Sequence, residues 1–123
     1  MTIALRLAGA WVAGSTAPAP VIPTGTTTGD IMLLYIGCKP YSATIADVTA
    51  PQTWTKLTGA FGANGTTASG IDTGSVQWAV FYRYWQSGDG NPTISITSGN
   101  VALAVIHSYS KTAANWSTPV GAK

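Results

Sequence analysis

The sequence predicts an all-β fold, an antiparallel β-sandwich or jelly roll of about six to eight strands. Three observations carry that expectation. Thr, Val, Ile, Trp and Tyr dominate the stretches that look ordered, and these residues suit a pleated surface. Strong helix formers are scarce, with no Glu anywhere in the chain. Short apolar runs are separated by Gly, Pro and Asn turn signals, and no helical period appears.

Taken in order, Ile3, Leu5 and Leu7 alternate with Thr2, Ala4 and Arg6, the period of two of a half-buried strand. The apolar run 7–14 has the look of a leader segment, but Arg6 interrupts the N-terminal apolar stretch that it belongs to, which favours a first strand. Residues 13–29 read as a long connection, because Pro18, Pro20 and Pro23 cannot donate to a ladder. Together with the first strand they make an extended N-terminal segment, residues 1–29. The continuous run 31–36 suits a strand at the centre of a sandwich. Residues 39–51 form a loop with Pro40 and Pro51, and 52–58 a short strand around Trp54.

Residues 59–74, mostly Gly, Ala, Asn, Thr and Ser, read as a surface loop or loose hairpin. In 75–85, Val76, Trp78, Val80, Tyr82 and Tyr84 share one face, while Gln77, Ala79, Phe81, Arg83 and Trp85 share the other. Aromatic residues on both faces imply that one meets the core and the other a second layer or a partner. Residues 86–92 are the strongest turn signal, 93–97 alternate again, and 101–109 form a last core strand. A polar tail, 110–123, carries Trp116.

With 123 residues, the chain fits one domain. It is 46% hydrophobic and only 8% charged, against about 25% charged in typical soluble domains. That balance excludes the disordered class and suggests that much of the surface meets another protein or is covered by hydroxyl and amide groups. The six cations, Arg6, Lys39, Lys56, Arg83, Lys111 and Lys123, stand singly. Nucleic acid is therefore not an expected partner, since phosphates require clustered cations. No run approaches the ~18 apolar residues of a membrane helix. Cys38 is the only cysteine, which precludes an intrachain disulfide, and it reads as a small buried hydrophobe.

The chemistry-bearing residues do not converge on a reaction. His107 is the only histidine and lies within the last strand, without a Gly-x-Ser-x-Gly elbow around Ser108 or Ser110. Of the four carboxylates, Asp30, Asp47, Asp72 and Asp89, two follow a glycine next to a strand. There, Asp side chains close turns by accepting backbone N–H bonds. No Asp-x-Asp pattern suggests calcium, and one Cys with one His falls short of zinc. We therefore expect no enzyme, no cofactor and no metal. The five tryptophans remain: Trp54 and Trp78 are assigned to the core. Trp11, Trp85 and Trp116, with Pro18, Pro20 and Pro23, are the interface candidates.

In order along the chain, residues 29–36 (Gly-Asp-Ile-Met-Leu-Leu-Tyr-Ile), 51–57 (Pro-Gln-Thr-Trp-Thr-Lys-Leu), 78–83 (Trp-Ala-Val-Phe-Tyr-Arg), Gly88-Asp89 and 106–109 (Ile-His-Ser-Tyr) resemble a family of β-sandwich domains of phage virion proteins. The family includes head decoration and tail or fibre components. The similarity spans residues 20–110 and rests on the order of short pieces. The chain departs from the pattern at Thr53 and Lys111, where the family often has Gly.

The resemblance implies a structural or adhesive virion protein, assembled in the host cytoplasm, with no catalytic residues. The expected role is a capsid decoration (cement) protein that binds the major capsid protein or other virion proteins, as a homo-oligomer or within a large assembly. Its expected contact elements are the N-terminal strand, residues 13–29 and the tail, added to a neighbour's sheet edge. The alternatives are a glycan- or receptor-binding module of a tail fibre, and a subunit of a self-assembling extracellular filament.

Overall fold

The computed structural model describes residues 3–57, 61–63 and 75–111. Nine strands and no helix are found among them: β1 (Ile3–Ala8), β2 (Val12–Gly14), β3 (Ile31–Lys39), β4 (Thr44–Ile45), β5 (Thr55–Lys56), β6 (Phe61–Ala63), β7 (Val76–Tyr84), β8 (Ile96–Thr97) and β9 (Val101–Lys111). Every pairing is antiparallel. The fold is all-β and sandwich-like, with two unequal layers.

The large layer runs β1-β9-β3-β7-β5, with β2 also on β9 and β6 also on β7. β3 is central, paired with β7 from Ile31↔Tyr84 to Cys38↔Gln77 and with β9 from Ile31↔Tyr109 to Lys39↔Val101. Paired residues share a face, so this register sorts the three long strands into two surfaces. Met32, Leu34 and Ile36 of β3, Ala79 and Phe81 of β7, and Ala102, Ala104 and Ile106 of β9 form one face, all sealed from solvent.

The small layer lies over that face. It consists of the β4-β8 ribbon and the irregular segments beside it, contributing buried Ala43, Ile45, Val48, Trp54, Ile94 and Ile96 to the same core. Backbone bonds Ala46 N–H to Ser95 O and Thr93 N–H to Ala50 O carry the ribbon past its two paired residues. In place of a second full sheet, the proline-bearing connection completes the layer. Ile96 N–H donates to Thr16 O, Ile22 packs against the core, and Pro18 and Pro20 are buried. The long connection is thus structural.

Two turns of the same design sit at one end of the large sheet. In 27–30 and again in 86–89, the fourth residue's N–H donates to the first residue's carbonyl oxygen. Gly29 and Gly88 occupy the third position at φ 96° and 94°, a backbone region open to glycine at little cost. The aspartate that follows accepts from the first residue's N–H, Thr27 to Asp30 and Gln86 to Asp89. Each carboxylate also holds an arginine. Arg6 Nε lies 2.7 Å from the buried Asp30, and Arg83 forks onto Asp89 through Nε and Nη2, both at 2.8 Å.

The N-terminal segment expected to reach a neighbour pairs within its own chain. β1 and β2 both pair with β9, and their line is broken twice. The register shifts between Leu5 and Leu7, and Gly9, Ala10 and Trp11 stand opposite only Val105 and Ile106. β9 itself extends to Lys111, two residues into the expected tail, while residues 112–123, with Trp116, lie outside the described residues. So does most of the expected 59–74 loop, apart from β6.

The Arg83 fork holds the Asp89 carboxyl below its usual range, against the opposing effect of burial. A pKa lowered in the folded state stabilises above the unfolded carboxyl range and is lost as pH falls through the folded value. Asp89→Asn should therefore cost about 1–3 kcal/mol near neutral pH, as for a hydrogen-bonded charge. Its penalty should shrink on acidification. Urea unfolding of both proteins across acidic and neutral pH checks this, and a pH-independent difference would refute it.

Candidate functional site

The surface opposite the core is built from the alternate residues of the same strands. Across it run Leu5–Tyr109–Ile31–Tyr84, then His107–Leu33–Tyr82, then Val105–Tyr35–Val80, then Leu103–Gly37–Trp78. Among the described residues no second sheet lies over it, although Ile31 and Val105 are themselves buried, at 4% and 0% exposure, and most of the other positions are half-buried. Five of the six exposed large hydrophobics belong to it: Ile3 at 56%, Leu5 at 53%, Trp11 at 54%, Val101 at 52% and Leu103 at 39%. Ile3 and Leu5 stand opposite Lys111 and Tyr109, while Trp11 reaches the face through its ring contact with Trp78. The sixth, Val21, lies in the connection.

One end of this face is organised around glycine. A side chain at Gly37 would meet the Trp78 ring, since a Cβ there would lie 2.9 Å from its Cη2 and Cζ3 atoms. Trp78 therefore lies flat across the backbone of β3, and Trp11 meets it edge-on, with centroids 6.1 Å apart and planes at 82°. Beside the ring, Val76, Val101, Leu103 and the stem of Lys39 border an apolar depression of about 90 Å³. The depression is thus apolar and bordered by the exposed Val101 and Leu103 and by the Trp78 ring.

The middle of the face is polar and tied together. His107 Nδ1 accepts the Gly9 N–H at 3.1 Å, which clips the β1–β2 break to β9. The Tyr35 ring lies 5.8 Å from the imidazole. Burial first, then a hydrogen bond with Tyr109, pushes the Tyr35 hydroxyl up to about 12, so it stays protonated at neutral pH. Ser108 points to the core face beside Met32, away from His107, so the two adjacent residues make no nucleophile–base pair. Cys38 is buried on the core side, and burial pushes its thiol up, which suppresses the thiolate. Among the described residues, no three of His, Cys, Asp or Glu come together.

The candidate residues separate on this map. Trp11 is exposed at the apolar end of the face. Trp85 is half-buried against the core, Pro23 is half-buried, and Pro18 and Pro20 are used internally. Of the two core tryptophans, Trp54 is buried as expected, but Trp78 lies on the outer face. Val101, Leu103 and Gly37 were not among the candidates. For Val101 and Leu103 the signal was the alternation in 101–104, where the small alanines, not the large residues, face the core.

Gly37→Ala should displace the Trp78 ring and weaken the exciton couplet of the Trp11–Trp78 pair in circular dichroism. The crowding should cost about 1–3 kcal/mol of stability. Trp11→Ala should remove the couplet with little change in stability. A couplet untouched by either substitution would contradict this packing.

No family model matches the chain, and neither a curated protein nor a solved structure is found to be similar to it.

Proposed function

We propose that the protein is a non-enzymatic structural subunit that docks on another protein through the outer face of its main sheet. Its setting, in this reading, is a phage particle, where it serves as a decoration protein on a shell of major capsid protein. The observation that carries the docking role is that five of the six exposed large hydrophobics share one face, with Val101 and Leu103 beside the Trp11–Trp78 pair and Ile3 and Leu5 at the other end. Apolar surface concentrated in this way marks interaction sites. The phage setting rests on the resemblance of residues 20–110 to virion β-sandwich domains.

The mechanism is mechanical. A sheet locked by its core presents a preformed surface, so docking orders few side chains and wastes little free energy on rearrangement. Repeated over a lattice of identical sites, a modest contact reinforces every junction that it spans. A chain with only 8% charged residues suits a life spent mostly in contact with other proteins.

The test is co-sedimentation of the purified chain with undecorated capsid shells of the phage that encodes it. Saturable binding is expected, at a fixed number of copies per shell. Leu103→Asp and Trp11→Ser should each weaken it by at least about thirtyfold, the effect of removing an interface hot spot. Both positions are exposed, so the melting temperature should barely move. Absence of binding, or binding indifferent to both substitutions, would overturn the proposal.

A further inference from the structure

A second recess lies on the β7 margin, six residues along the strand from Trp78 (about 20 Å at strand rise). β5 pairs with β7 only at Thr55↔Tyr82 and Lys56↔Phe81. Before Thr55 the chain leaves the sheet, because Trp54 donates its N–H to Val48 O in the small layer. The departure opens a cleft of about 180 Å³ lined by Thr53, Thr55, Tyr82, Arg83, Tyr84 and Gln86.

We propose that this cleft binds a single neutral sugar ring. Its lining offers neutral groups that both donate and accept, the hydroxyls of Thr53, Thr55, Tyr82 and Tyr84 and the amide of Gln86. Sugar hydroxyls need that double capacity. The Tyr82 and Tyr84 rings, with centroids 6.0 Å apart and planes at 77°, give two apolar surfaces at right angles for the C–H faces of a pyranose. The space admits one ring; an oligosaccharide would have to extend out of it.

The charge arrangement selects against acidic ligands. Arg83 is the one cation in the lining, and it is already forked onto Asp89, with Nη1 donating to Thr53 O at 3.1 Å. An incoming carboxylate or phosphate would meet a compensated charge. The same bonds fix the cleft wall in place, so a ligand finds its partners preorganised. An apolar ligand would strand the hydroxyls and the amide without partners.

The experiment is a titration of the full-length, isotope-labelled chain with methyl glycosides of glucose, galactose, mannose and N-acetylglucosamine, followed by amide chemical shifts. Glucuronate and an extended peptide are included as competitors. At least one neutral glycoside should give saturable shifts confined to 53–55 and 82–86. Tyr84→Phe and Gln86→Ala should each weaken binding about three- to tenfold, the range for one lost hydrogen bond, with the remaining spectrum unchanged. Leu103→Asp should leave sugar binding intact, which separates this site from the docking face. The proposal is overturned by no saturable shift with any neutral glycoside, by shifts centred elsewhere, by affinity unaffected in both cleft variants, or by tighter binding of glucuronate or peptide.

Discussion

The pairing of β3 with β7 on one side and β9 on the other is the constraint from which both surfaces of the molecule follow. Side chains alternate along a strand, so a slip of one residue would exchange the faces. Phe81 and Leu34 would then enter solvent, and Trp78 would lie against the small layer. The register that seals Met32, Leu34, Ile36 and Ile106 also sets out Trp78, Leu103 and Val101 on the far side. Burial on the core face is what makes the outer face a fixed surface.

The two aspartate turns hold the end of this arrangement. The 27–30 turn delivers the chain into β3, and the 86–89 turn follows β7, with Trp85 N–H donating to Asp30 O between them. Arg6 fastens β1 to the first turn, and Arg83 fastens β7 to the second. Because both carboxylates also accept backbone N–H bonds, each is satisfied as well as neutralised. The polar cleft depends on the second of these anchors for its shape.

Much of this was legible in the sequence. The long strands, the two faces of β7 and the turn role of Asp30 and Asp89 follow from local pattern. What escaped it depends on contacts distant in the chain. β4 pairs with β8 for only two residues inside what reads as a proline-bearing loop, so it has no period long enough to see, whereas the alternation of 93–97 around β8 was visible and its Ile94 and Ile96 are buried. Pro18 and Pro20 sit in an irregular segment whose burial depends on the ribbon beside it. Trp78 and Phe81 lie on opposite faces of β7, and periodicity alone does not say which face is inside. In β9 the large Val101 and Leu103 face out, while Ala102 and Ala104 face in. Bulk from Leu34, Ile36 and Phe81 fills the space that these alanines leave. Of the exposed hydrophobics on the outer face, Trp11 was singled out in the sequence and Ile3 and Leu5 lie in the N-terminal strand that was expected to make contacts, whereas Val101 and Leu103 were not singled out.

The twice-broken line of β1 and β2 has a consequence for how the molecule behaves in quantity. A long, straight outer strand would offer an even row of amides and carbonyls, on which a second molecule could build, and a third on that. Bulges twist such a margin and upset its spacing, and the opposite margin is carried by the two- and three-residue strands β5 and β6. Growth from molecule to molecule through backbone pairing is thereby discouraged at both ends. Among the described residues, neither margin offers an even row of backbone groups along which a concentrated pool of the chain could lengthen itself.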